Sequence, residues 1–195
     1  EEEISNEVNL SYSDNQVTVT TDYLTLVYTL NSEGYASQCV YSLSSQNRIY
    51  QFSYSAEGYL TGIVENIDDT EYSSTSLTYE NGDITSISSK MNGLENKFIY
   101  EPGEESSTYH LPCLGLLEIH PLTFHIEALY AGLLGKDPRH FTMHSCPAGS
   151  NDEKTVYSYG FDKKGNPSRM ICQTTYAGGQ ASYYPYTRNI SISFE

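Results

Sequence analysis

Basic residues are scarce in this chain of 195 residues: ten lysines and arginines stand against 25 aspartates and glutamates, for a net charge of −15. That balance repels phosphate backbones, and the densest positive group, Lys163, Lys164 and Arg169, only flanks a turn, so nucleic acid is excluded as a partner. Long apolar runs are also missing. The most apolar stretch, Leu111 to Leu134, is interrupted by Glu118, His120, His125 and Glu127 and divided by Pro121; no uncharged run reaches the roughly 20 residues of a membrane span. Motifs of catalysis are absent too: there is no Gly-x-Ser-x-Gly elbow and no His-Glu-x-x-His. Asp68, Asp69 and Glu71 lack the alternating ligands and glycine of a calcium loop. No cofactor, no metal ligand and no catalytic residue is therefore assigned.

Cysteine is sparse and uninformative about metal. Cys39, Cys113, Cys146 and Cys172 fit none of the common zinc spacings and allow three complete pairings. Cys113 and Cys146 bracket the apolar stretch and are placed to staple it, whereas Cys39 and Cys172 read as small, buried core residues. The chain opens on Glu1-Glu2-Glu3 without the basic, apolar and cleavage regions of a signal peptide. The expectation is an export signal already removed and an acidic tether over residues 1–7.

What the sequence does contain is a glycine returning every 24 residues, at Gly34, Gly58 and Gly82. The aligned segments start at Leu30, Tyr54 and Tyr79, with a later copy running from Phe161 to Gly165. In each, an apolar or aromatic residue ends a strand, polar residues make the turn, and glycine supplies the positive φ of a tight hairpin. Five positions on stand Cys39, Ile63, Ile87 and Met170, which predicts the same inward position in every copy.

Alternating patterns predict strands near 8–12, 16–20, 23–30, 35–43, 48–54, 59–65, 75–80, 84–90, 96–101, 154–161, 168–176 and 188–194. Short connections make sequence neighbours spatial neighbours, hence an antiparallel meander. The period fails at Ser106, and Leu122, Ile126, Leu129 and Leu133 then follow at helical spacing, with Pro121 suited to a first turn and Gly135 to a stop. The expected fold is mainly β: a strongly curved, partly open, barrel-like sheet wrapped around one inserted helical segment at about 111–135, within a single domain over 8–195. A chain of this size buries roughly 70% of its unfolded surface, enough for a core without metal or disulfide support. A membrane barrel is not expected, because the strands read as too short and too rich in serine, threonine and glutamate outside.

The units Tyr54-Ser-Ala-Glu-Gly-Tyr-Leu-Thr-Gly-Ile63 and Tyr157-Ser-Tyr-Gly-Phe-Asp-Lys-Lys-Gly-Asn166 resemble tyrosine-aspartate repeats of bacterial surface and toxin-shell proteins. The order of hairpins, the insertion Ala128-Leu-Tyr-Ala-Gly-Leu-Leu-Gly-Lys136 and the closing hairpins resemble a family of exported Bacteroides-type proteins of unknown function with a porin-like fold. The resemblance covers nearly the whole chain. It implies an extracytoplasmic, cell-surface or periplasmic protein from a lipoprotein precursor, and it brings no catalytic residues.

Two chemistries remain to be placed. All five histidines, His110, His120, His125, His140 and His144, fall within the segment 110–146, beside Glu118, Glu127, Asp137 and Cys146. His140 and His144 would share a helical face, as zinc sites require, although Pro138 and Pro147 flank them. The 19 tyrosines, with no tryptophan, include the cluster Tyr183-Tyr184-Pro185-Tyr186, suited to stacking on a sugar or a protein partner. Cross-strand tyrosine pairs that cover the sheet's own face are the simpler use. The functional expectation is a monomeric, non-catalytic, envelope-associated binding or scaffold module for a carbohydrate or an envelope protein. The alternative is a metal-assisted hydrolase using the histidine-rich segment.

Overall fold

The computed structural model describes residues 8–21, 23–43, 46–106, 119–150, 153–161, 163, 167–176 and 186–191. The expected tether over residues 1–7 lies outside them. Thirteen strands form one sheet in strict chain order: β1 (Asn9–Ser13), β2 (Gln16–Thr20), β3 (Thr25–Leu30), β4 (Ala36–Leu43), β5 (Gln46–Tyr54), β6 (Leu60–Ile67), β7 (Thr70–Glu80), β8 (Asp83–Met91), β9 (Leu94–Ser106), β10 (His140–Pro147), β11 (Glu153–Phe161), β12 (Pro167–Tyr176) and β13 (Tyr186–Ser191). Among the described residues every pairing is antiparallel, and β1 and β13 are the open edges.

The repeat is visible as geometry. Gly34, Gly58 and Gly82 have φ of 85°, 91° and 89°, and the residues five positions on, Cys39, Ile63 and Ile87, are buried, as is Met170 of the later copy. A feature that the pattern did not anticipate accompanies each turn. The ladder slips between Thr29 and Leu30, Ser53 and Tyr54, Thr78 and Tyr79, and Gly160 and Phe161. The slip thus falls at the residue that opens the turn in all four copies. Such bulges bend and over-twist the strand that carries them, so the same unit that turns the chain also curls the sheet.

The concave face holds the core. Val17, Val19, Leu26, Tyr28, Phe52, Ile63, Leu77 and Ile87 pack with Ile119, Leu122, Ala128, Leu129, Leu133 and Leu134 of the insertion. The helix itself is shorter than the periodicity predicts: a 3₁₀ turn at Leu122–Phe124, then α1 at Ile126–Tyr130, with residues 111–118 outside the described set. The stop comes three residues before Gly135. Gly132, at φ 70°, donates its N–H to Leu129 O and Leu133 donates to Ala128 O, the paired bonds of a Schellman cap. No described helix is long and apolar enough to cross a membrane.

Beyond the cap the chain becomes a strap laid across the repeat turns. Ala36 N–H donates to Leu133 O at 2.7 Å, Lys136 N–H to Gly58 O at 2.9 Å, and Arg139 N–H to Gly82 O at 3.0 Å. Successive turns lie two strands apart, roughly 9.6 Å at the usual spacing, and three residues of chain reach about that far. The contacts at 133, 136 and 139 therefore keep step with the hairpins. Gly135 is required here for space, since a Cβ would stand 2.7 Å from Gly58 O.

Expectations about the histidine segment and about strand length are corrected. The segment expected as a possible helix with paired histidines is strand β10, hydrogen-bonded to β9 with two register shifts; its flanking prolines hid it. Strands are not uniformly short, since β7 has 11 residues and β9 has 13. Polarity is what separates this sheet from a membrane barrel: its apolar side faces inward onto the insertion, where such barrels carry theirs outward. Cys39 and Cys146 are free thiols among the described residues, and Cys113, the other half of the staple considered for Cys146, lies outside them.

Candidate functional site

The structure disperses the histidines. His120 Nε2 meets Glu65 Oε2 at 2.5 Å on β6, and His140 Nδ1 meets Asp83 Oδ2 at 2.8 Å on β8. His144 Nδ1 meets Glu101 Oε2 at 3.1 Å on β9, and His125 Nδ1 meets Tyr28 Oη at 2.8 Å on β3. His110 falls outside the described residues. Along a strand, His140 and His144 stand about 13 Å apart, too far for one ion. No three His, Cys, Asp or Glu side chains among the described residues gather as a metal group. Asp68 and Asp69 form the β6–β7 turn with positive φ, and Asp68 Oδ1 accepts the Asn47 N–H, which is the work of a turn.

The inner-face cluster around Glu65 is built by register. Tyr28, Cys39, Tyr50, Glu65 and Ser73 are successive cross-strand partners on β3 to β7, so one row places a carboxylate among apolar and aromatic neighbours. Glu65 is fully buried and receives Arg48 Nη1 at 3.0 Å, Ser73 Oγ at 2.8 Å and His120. Burial alone would raise its pKa; the hydrogen bonds from His120 and Ser73 and the charge of Arg48 outweigh it and hold the carboxyl below its ordinary value. The backbone of His120 is fixed as well, its carbonyl accepting Thr75 Oγ1 at 3.0 Å and Ser89 Oγ at 3.1 Å.

Behind this cluster His125 has no exposed surface and is ringed by Tyr28, Tyr50 and Phe52, all edge-on to it. Desolvation pushes its pKa down to about 3, so the imidazole is neutral. The same desolvation pushes the adjoining Cys39 thiol up to about 12, which leaves it unreactive. The hydroxyl beside the Glu65–His120 pair is that of Ser73, itself buried and donating to Glu65, while the contacts of His120 tie the insertion to the sheet.

An open cavity of about 690 Å³ lies at the other end of these strands, where the turns meet the strap. Tyr59 and Tyr79 form one wall, their rings 4.9 Å apart and tilted by 30°. They repeat a motif: Tyr35 pairs with Tyr54 at 5.4 Å and the same tilt. Each pair joins the residue after one repeat glycine to the strand end before the next. The third rung changes character, since Asp83 follows Gly82 and binds both the backbone N–H and Nδ1 of His140. Lys136 and Arg139 rise from the strap beside the second and third turns, both exposed. Gly82 forms the floor, and a Cβ there would stand 2.6 Å from Arg139 Cδ and 2.7 Å from Tyr59 Oη.

These four residues were not singled out from sequence. The available signal was tyrosine on both flanks of the repeat glycines, together with cations three positions apart after Gly135. The cluster that was singled out, residues 183–186, lies outside the described side chains. Smaller clefts occur beside Phe141 and Tyr159, of about 400 Å³, and between β1 and α1, of about 510 Å³; no cation lines either among the described residues.

The strictly sequential antiparallel sheet, open at both edges among the described residues and filled by an insertion, defines the class as a mainly β meander. The chain belongs to the family described as a domain of unknown function (DUF4595) with porin-like fold, which it matches over residues 1–169. A porin-like protein from Bacteroides uniformis is similar with a TM-score of 0.88 and 26% identity, over 98% of this chain and 79% of that one. A second, from Bacteroides vulgatus, aligns with a TM-score of 0.62 and 13% identity, over 97% of this chain and 86% of that one, and shares the fold. A comparison with curated proteins finds no match.

Proposed function

We propose that this protein is an extracytoplasmic, envelope-associated, non-catalytic binding module and that its ligand is a saccharide held in the turn-edge cavity. The observation that carries the reading is the half-buried Tyr59–Tyr79 pair, walling an open cavity among Ser55, Thr61, Thr78 and Asn81. Flat aromatic surface bordered by hydroxyl and amide groups suits the apolar face and polar rim of a sugar ring. The rigid sheet beneath holds that surface in place before a ligand arrives, which lowers the entropy cost of binding.

Calorimetric titration of oligosaccharides into the wild type and Tyr59→Ala tests the reading. At least a tenfold loss of affinity in the variant, with a cooperative melting transition still present, is the expected result. Absence of saccharide binding, or binding indifferent to Tyr59, overturns it. Envelope association is supported by the kinship to Bacteroides porin-like proteins, and a lipoprotein precursor is the route we propose for it. Labelling of the full-length protein with radioactive palmitate in its own cells checks it.

A further inference from the structure

We infer that the turn-edge cavity selects a linear acidic polysaccharide, carrying carboxylate or sulfate at regular intervals, over its neutral counterpart; the inference rests on the saccharide reading above. The first support is where the rare positive charge goes. The chain has ten cationic side chains against 25 acidic ones, yet two of the ten line this one cavity. Among the described residues lining it, Glu57 is the one carboxylate. Lys136 enters no ion pair among the described residues, and Arg139 has only a 3.4 Å contact with Asn81 O, at the long limit of a hydrogen bond. Cations that served the chain's own stability would be expected against its abundant carboxylates, as Arg48 is against Glu65.

The second support is spacing. Lys136 is tied through its backbone to Gly58 and Arg139 to Gly82, so the two cations advance by one hairpin, roughly 10 Å. A single small anion engages both only if the two flexible side chains bend toward each other and give up the spacing set by their backbone bonds. An extended chain lying along the turn edge engages both, with its rings against the tyrosines between. The aromatic wall and Leu77 lower the local dielectric, so each charge contact there exceeds its value on open surface.

Titration of tetragalacturonate and of neutral galactotetraose into wild type, Tyr59→Ala and a Lys136→Gln, Arg139→Gln double variant tests this, with melting curves to confirm that the fold is kept. Expected is at least tenfold tighter binding of the acidic tetramer by the wild type, shrinking to less than threefold in the double variant and at raised salt. Equal affinity for both tetramers, dependent on Tyr59, overturns the acidic selectivity and leaves the saccharide reading standing. Binding of neither tetramer overturns both. Acidic binding that survives the double variant, or that inorganic polyphosphate matches without dependence on Tyr59, overturns the inference by showing attraction elsewhere or to charge alone.

Discussion

The two ends of the central strands are held by different means. At the turn edge, backbone atoms of three consecutive hairpins bond to one strap, at Leu133, Lys136 and Arg139. At the other end, beneath His120 and Phe124, side chains separated by up to 55 residues converge on Glu65. The first arrangement depends on a period and tolerates many side chains, provided that the glycines remain. The second depends on individual groups, each of which would be costly to leave alone in a buried place. The turn edge is thereby free to vary its exposed side chains for a ligand, whereas the inner cluster is committed to holding the insertion.

The sharpest test of this contrast is Glu65→Ala. It strips the buried carboxylate from Arg48, Ser73 and His120 together, and breaking a buried pair costs about 3–5 kcal/mol. Arg48 and His120 keep 22% and 26% side-chain exposure and can recover some hydration, so the lower end, about 3 kcal/mol, is expected in urea unfolding. A loss below about 1 kcal/mol would mean that the cluster behaves as an ordinary surface ion pair.

Acid should act on the same end next. His125 has its folded pKa pushed down from 6.5 to about 3, so between those values the unfolded chain binds a proton that the folded chain does not. Stability is then complete above pH 6.5 and falls as pH drops through this window, by up to about 1.4 kcal/mol per pH unit. Glu65 adds to the loss only below its ordinary value of 4.5, because its folded pKa is lowered. The difference between the urea midpoints of wild type and His125→Phe from pH 6.5 to 4.5 isolates this histidine, because His120, His140 and His144 are common to both, and the variant should show the flatter curve over that range. An unchanged slope would place the responsible proton on another group.

Much of the turn edge was legible beforehand because it is periodic: Gly34, Gly58 and Gly82 with Cys39, Ile63 and Ile87 fix the hairpins, the inward face and the meander. The bulges at Leu30, Tyr54 and Tyr79 were not, since a slip of register leaves no mark in composition. The helix was overestimated because leucine spacing records which residues are buried, and a 3₁₀ turn, α1 and a Schellman cap bury the same leucines. Strand β10 was missed because two prolines and two histidines obscured its alternation. The Glu65 cluster was out of reach for a different reason: its partners are set by cross-strand register and by the path of the insertion.

At the turn edge, conformation can be separated from contact by two glycines of the insertion. Gly132→Ala meets open space and carries only the cost of a left-handed residue, about 1 kcal/mol. Gly135→Ala carries the same cost, and its Cβ would also drive the strap from Gly58 O, endangering the Lys136 N–H bond; about 2 kcal/mol is expected in all. Equal losses for the two would show that the strap does not press on the repeat turns.

The smallest effect is the most telling about purpose. Lys136→Gln removes an exposed charge without an ion pair among the described residues while leaving its backbone bond to Gly58 intact. Stability should stay within about 0.5 kcal/mol of wild type, measured by thermal melting at low and high salt. In a chain of net charge −15, one cation fewer raises self-repulsion slightly, so any small loss should shrink as salt is added. A loss above about 1 kcal/mol that salt leaves unchanged would assign Lys136 to holding the strap. A neutral result keeps it available for a ligand.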